Sequence, residues 1–120
     1  MADSDIPTLD PDHLALVCGD DIDFQREVIV DFLSQLDARL EDIGAAVASR
    51  DAATIRRTAH TLKGASASLG ASALAESSAR LESFARAGGP EDAVAALQQV
   101  RHEAARLREA LAGFTPDRAA

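Results

Sequence analysis

Between residues 22 and 47, apolar side chains recur at gaps of three and four: Ile22, Ile29, Phe32, Leu36, Leu40, Ile43 and Val47, with Gln25 the one polar lapse. Val28 and Leu33 widen the same stripe. A 3.6-residue period held over that length specifies a long amphipathic helix, predicted over about 22–49, with one face to bury. Three later segments repeat the pattern. Residues 52–69 carry Ile55, Ala59, Leu62, Ser66 and Leu69; residues 72–87 carry Leu74, Ser78, Leu81 and Phe84/Ala85; the segment from Pro90 carries Ala93, Leu97, Val100, Ala104, Leu107 and Leu111. Breakers separate them: Arg50-Asp51, Gly70, Gly88-Gly89-Pro90, then Gly113 and Pro116. Asp10-Pro11 opens a shorter helix over about 11–18, since aspartate caps and proline suits the first helical position. Four substantial helices joined by short links predict an all-α fold, an antiparallel up-and-down four-helix bundle with an additional short N-terminal helix over one end. The chain reads as a single domain, 1–120, with the bundle spanning about 9–112.

Aromatic residues make up 3% of the chain and Trp and Tyr are absent, so the expected core is aliphatic, joined by Phe24, Phe32, Phe84 and Phe114. One cysteine, Cys18, allows no internal disulfide and suits a reducing compartment. The start lacks a secretory leader, and no apolar run approaches the ~20 residues of a membrane span, so a cytoplasmic location with no membrane partner is expected. The net charge of −8 opposes nucleic-acid binding. That charge is uneven: residues 1–51 hold thirteen Asp/Glu against three Arg, and residues 52–120 hold seven against nine Arg/Lys. Asp20, Asp21 and Asp23 resemble a metal cluster, but acids at a helix start more simply cap it and complement its dipole.

One stretch departs from ordinary helix sequence, Ala59-His60-Thr61-Leu62-Lys63-Gly64, continuing through Ala65, Ser66, Leu69 and Gly70. Lys63 is the sole lysine beside eleven arginines, and Gly64 sits mid-helix, where glycine costs about 1 kcal/mol against alanine. Advancing about 100° per residue from Ile55 puts the stripe on one side and His60 roughly 140° away, near Arg56, Lys63 and Ala67, with Gly64 at about 180°. His60 therefore faces solvent or the bundle edge, with a cation one turn before and another one turn after. Neighbouring cations favour a neutral, nucleophilic imidazole and would offset a phosphoryl group on its ring nitrogen. Gly64 and Ala67 clear space for an approaching protein. An ordinary surface histidine among ordinary cations remains the alternative from these residues alone.

This stretch resembles the signature of histidine-containing phosphotransfer (HPt) domains. The similarity extends through Leu74 and Leu81-Glu82 downstream, and through Asp10-Pro11, Gly19-Asp20-Asp21 and Phe32-Leu33 upstream, about residues 9–112. The resemblance implies an antiparallel four-helix bundle without a nucleotide site. His60 would accept a phosphoryl group from a receiver-domain aspartyl phosphate and pass it to another receiver aspartate. Lys63 and Gly64 carry over as neighbours of the phosphohistidine, with Arg56 beside them. A second-helix glutamine hydrogen-bonds the histidine in some members, and Gln35 is the candidate counterpart. Partners implied are response-regulator receivers and a hybrid histidine kinase. The chain would carry no cofactor of its own, with Mg2+ supplied by the receiver. The docking surface is expected around His60, with Leu14, Val17 and Val28 as exposed apolar contacts; Arg80 and Arg86 could also reach the partner, but a solvated helix face is the simpler reading. A single accessible histidine on a complete bundle suggests a monomer.

Three rivals stand beside this reading. Sensor-kinase cores commonly follow their histidine with Glu and then Pro, where this chain has Thr61 and Lys63-Gly64, and Gly88-Gly89-Pro90-Glu91 is no phosphate-binding loop. The chain is instead compatible with a phosphotransfer domain cut from a larger hybrid or chemotaxis-type kinase, although Met1 and polar ends favour a free-standing protein. A receiver-binding module without phosphotransfer is the second rival, opposed by the intact His60-Lys63-Gly64 set. A metal site is the third, and His13, His60, His102 and Cys18 offer no i, i+3 or i, i+4 pair for it.

Overall fold

The structure, a computed structural model, describes residues 6–87 and 90–114; the side chains of residues 11, 17, 90–92, 113 and 114 lie outside the described set. Five helices follow in order: α1 (Pro11–Cys18), α2 (Ile22–Ala48), α3 (Ala52–Leu69), α4 (Ser72–Ala87) and α5 (Pro90–Phe114). Aspartates open the first three. Asp10 accepts from the amides of Asp12 and His13 at 3.0 and 3.2 Å, and Asp21 from Phe24 at 3.1 Å. Asp51 accepts from the Thr54 amide and hydroxyl at 3.2 and 2.7 Å. Each satisfies amides that a helix start leaves without a partner. Asp21 thus acts as a cap, as the acidic run at residues 20–23 predicted.

Gly70 stops α3 in the left-handed region, φ +90°. Its amide donates to Ala67 at 3.1 Å and the Ala71 amide donates to Ser66 at 2.8 Å, the paired bonds of a Schellman motif. The position does a second job. The Asp10 amide donates to the Gly70 carbonyl at 2.8 Å, and a Cβ at residue 70 would lie 2.9 Å from the Asp10 carbonyl oxygen. The start of α1 is thereby seated on the end of α3, where only glycine admits the approach.

In the bundle, α3 packs on α2 and α4, and α5 packs on α4 and α2, closing the ring; α1 lies against α2 and α3. Arg108 of α5 pairs with Asp37 of α2, and Arg101 lies over Gly44, so residue numbers rise along one helix as they fall along the other. The core is aliphatic: Ile29, Leu36 and Ile43 of α2, Leu62 of α3, Leu81 of α4 and Val100, Leu107 and Leu111 of α5 are fully enclosed.

Several expectations change on this frame. Leu14 was expected at an exposed docking surface, yet it is fully buried, because α1 turns Leu14 and Cys18, one turn apart, into the core. Leu16 takes the exposed place instead. Phe24 and Phe84 lie at the surface and do not build the core, whereas the half-buried Phe32 packs against it; Phe114 falls among the side chains not described. Ile22, the first residue of α2, is also exposed at the end of the stripe. Gln25, the polar lapse, is buried and keeps its place because its Nε2 donates to the Gly19 carbonyl at 2.9 Å. That bond offsets the desolvation of the amide and ties α2 to the end of α1.

Candidate functional site

The buried stripe of α3 is Ile55, Ala59, Leu62, Ser66 and Leu69, so the next residue after Ala59 must leave the core. His60 does so at the edge facing α4, with 65% of its side chain exposed. Its Nδ1 lies 3.0 Å from Oε2 of Glu82. The same carboxylate receives Lys63 Nζ on Oε1 at 3.3 Å and Arg86 Nη2 on Oε2 at 3.3 Å. Glu82 itself is only 7% exposed. It sits beside Leu81 and Ala85 of α4, inside the groove where α3 and α4 meet. The site is therefore one enclosed carboxylate holding three donors, two of them delivered across the helix boundary.

Burial pushes the Glu82 carboxyl up, while hydrogen bonds from Lys63 and His60, and the charges behind them, pull it down; the net direction is below the usual carboxylate value. An ionised carboxylate can only accept, so the imidazole hydrogen belongs on Nδ1. The lone pair then lies on Nε2, on the outer edge of an exposed ring. A carboxylate on one ring nitrogen fixes both tautomer and ring orientation.

The sequence placed cations around the histidine, and the structure places a carboxylate among them. Lys63 is on Glu82 rather than free beside the ring. Arg56 is exposed, one turn before His60. Arg86, expected on a merely solvated face, joins the cluster through the oxygen that binds His60. Gly64 is exposed, and a Cβ built there would meet nothing within 4 Å. Internal packing therefore does not require the glycine. Ala67 is exposed and lines a groove with Lys63, His13 and Gly70. Val28 is half-buried and lines a second groove, between α2 and α3, with Phe32, Gln35, Ala65 and Ser68. The Val17 side chain lies outside the described residues.

Gln35 does not fill the role expected of it. Its Nε2 donates to Asp31 at 3.3 Å and its Oε1 accepts from Arg39 at 2.6 Å, all three on α2, and it lines the groove on the α2 flank of α3. His60 leans to the opposite flank, so its partner comes from α4. A register argument could have found Glu82. α3 and α4 are antiparallel neighbours that turn at Gly70-Ala71, and residues 60 and 82 are equally far from Ala71, which sets them side by side. Among the described residues, no three His, Cys, Asp or Glu side chains converge to hold a metal ion.

Comparison with known proteins points the same way. The family model described as "Hpt domain" matches residues 27–110. The chain is similar to the crystal structure of histidine-containing phosphotransfer protein B from Pseudomonas aeruginosa PAO1, at 32% identity and a TM-score of 0.85, covering 91% of this chain and 95% of that one. It is also similar to the histidine-containing phosphotransfer protein MtHPt2 from Medicago truncatula, at 27% identity and a TM-score of 0.78, covering 87% of this chain and 74% of that one. No curated protein matches the chain. Hpt domains work with the receiver domains of two-component systems. With a family model over more than half its length and the same helical bundle, the chain belongs to the Hpt family and has a histidine phosphotransfer role in a phosphorelay.

Proposed function

We propose that His60 is the phosphoryl carrier of this relay and that Nε2 is its nucleophilic atom. The observation that carries this is the contact between His60 Nδ1 and the enclosed Glu82 carboxylate, on a ring otherwise open to solvent. In the forward step the Nε2 lone pair attacks the phosphorus of a receiver aspartyl phosphate. The N–P bond forms as the P–O bond to the aspartate breaks, and the aspartate carboxylate leaves with the electron pair. The Nδ1 proton stays in place, so the phosphorylated ring is cationic, and Glu82 lies against that developing charge. Lys63 and Arg86, each paired with Glu82, supply local positive charge that would offset the phosphoryl group. The reverse step hands the group to a second receiver.

A loose phosphoryl-transfer transition state asks mainly for in-line positioning and charge compensation. This chain supplies a fixed ring, local cations and, at Gly64, a surface without a side chain. The magnesium ion and the acceptor carboxylate would belong to the receiver. A hybrid histidine kinase upstream, a monomeric state and a cytoplasmic location complete the reading; consistent with the last, no helix among the described residues is long and apolar enough to cross a membrane.

Incubation with a phosphorylated receiver tests it. Acid-labile, base-stable label on the wild-type chain, absent from His60→Gln, is expected. Label that persists in His60→Gln would place the phosphoryl group elsewhere.

A further inference from the structure

The charge of the Glu82 cluster depends on what His60 carries. With the Nε2 lone pair free the ring is uncharged, and the Glu82 carboxylate stands against Lys63 and Arg86, so the cluster is positive by a single charge. A phosphoryl group on Nε2 brings about two negative charges. If Nδ1 keeps its hydrogen, the ring becomes a cation and the cluster closes near neutrality. If the hydrogen leaves, the cluster turns negative, and two acceptors, the bare Nδ1 and Oε2 of Glu82, face each other at the 3.0 Å contact.

A carboxylate at this place therefore takes sides. It accepts from a protonated nitrogen and repels a bare one, whereas a carboxamide serves either, with its oxygen as acceptor or its nitrogen as donor. Glu82 is enclosed, so solvent screens the contact little. The charged groups on the ring's side of its two helices are Lys63 and the exposed Arg56 on α3, and Glu82 and Arg86 on α4. The three cations oppose a proton on Nδ1. A phosphoryl group draws on their charge and leaves the carboxylate less compensated, which strengthens its demand for the ring proton.

We propose that Glu82 makes His60 a proton-retaining store for the phosphoryl group, and so draws the equilibrium with a receiver aspartyl phosphate toward this chain at neutral pH. The proposal rests on the assignment of His60 Nε2 as phosphoryl acceptor. In the transfer the N–P bond forms, the P–O bond breaks, the receiver aspartate keeps the electron pair, and the proton stays between Nδ1 and Glu82. With an uncharged partner in place of Glu82, the phosphorylated ring gives that proton to solvent at lower pH. The sign follows from linkage: a proton held more tightly after transfer favours the phosphorylated chain, and this advantage fades as pH rises through the raised value of the ring. Glu82 thus biases where the phosphoryl group rests, beyond orienting the ring that receives it.

Radiolabel partition between this chain and one purified receiver, taken to equilibrium from about pH 7.5 to 9 in weak buffer with an indicator dye, tests this. The wild-type chain is expected to take up label without releasing a proton. Glu82→Gln should release about one proton per phosphoryl group accepted. Its partition should favour the receiver on the order of tenfold more than wild type at the neutral end, and the gap should narrow as pH rises. Glu103→Gln, which alters the enclosed carboxylate of α5, should match wild type in both readouts. Nitrogen NMR of the phosphorylated wild-type ring needs no variant and should show Nδ1 still protonated at about pH 8. A bare Nδ1 in that spectrum, equal proton release by wild type and Glu82→Gln, or equal partition of the two would each overturn the proposal. In all of these outcomes His60→Gln takes up no label; label on that variant would overturn the carrier assignment instead.

Discussion

Among the described residues two glutamates are enclosed, and they are held differently. Glu82 on α4 and Glu103 on α5 are 7% and 4% exposed. Glu103 is satisfied within its own helix, by Gln99 Nε2 at 3.0 Å one turn before and by Arg106 at 3.4 Å nearly one turn after. Glu82 takes one donor from its own helix, Arg86, and two from α3, His60 and Lys63. Burying a carboxylate is costly unless donors compensate it, and both are compensated. A carboxylate bonded only to its own helix stabilises that helix. One bonded across to a neighbouring histidine also sets the tautomer and orientation of that ring. On the proposed reading, the contrast separates an acid that braces its own helix from one that serves the transfer.

The comparison breaks first at the histidine. His60→Gln should reduce phosphoryl acceptance to background in a radiolabel transfer assay, while circular dichroism and the urea midpoint remain near wild type because the ring is mostly exposed. Glu82→Gln comes next. Its amide can still accept from Nδ1, but the charge opposite the phosphorylated ring is gone, and the transfer rate should fall on the order of tenfold to a hundredfold. Glu103→Gln should leave the rate within about twofold. Equal losses in the two variants would erase the distinction.

Glu82 also predicts an acid dependence of stability. The Glu82 carboxyl is held below its ordinary value of 4.5. Its contribution to stability is therefore present above the unfolded value and is lost as pH falls through the lower, folded value. Urea unfolding as a function of pH should show a shallower loss of stability below about pH 4.5 in Glu82→Gln than in the wild type. A parallel loss in both proteins would remove Glu82 as a contributor.

Smaller effects sharpen the picture. Lys63→Ala should slow transfer by about tenfold with little change in the unfolding midpoint, since Lys63 is partly exposed and Glu82 keeps two further donors. Gly64→Gln should stabilise the fold by up to about 1 kcal/mol, because no neighbour meets the new Cβ, and should impair transfer from a receiver. A variant that is both more stable and fully active would show that a receiver does not need the space. Ser66→Ala tests the core around the site: its hydroxyl is buried with no partner in the structure, so removal should be neutral or stabilising by about 1 kcal/mol in urea melts.

Sequence periodicity located the helices closely because its signals are local. The stripe from Ile29 to Val47, the caps at Asp10, Asp21 and Asp51 and the stop at Gly70 each depend on a few neighbouring residues. Periodicity also turned His60 outward. It could not see what a side chain meets across a helix boundary. Gln25 looked like a flaw because its acceptor, the Gly19 carbonyl, belongs to the end of the preceding helix. Leu14 looked available because eight residues of α1 cannot show which side faces the bundle. Gln35 was plausible on α2, but the histidine edge turned out to face α4.

The sequence by itself determined an all-helical bundle, an outward histidine and a lone lysine and glycine beside it, because helical period and terminal chemistry are written in adjacent residues. Only the tertiary structure decided that α4 supplies Glu82 and Arg86 and that one enclosed carboxylate gathers His60, Lys63 and Arg86. Those facts depend on which helices are neighbours and at what height they meet, and packing of whole faces sets that register.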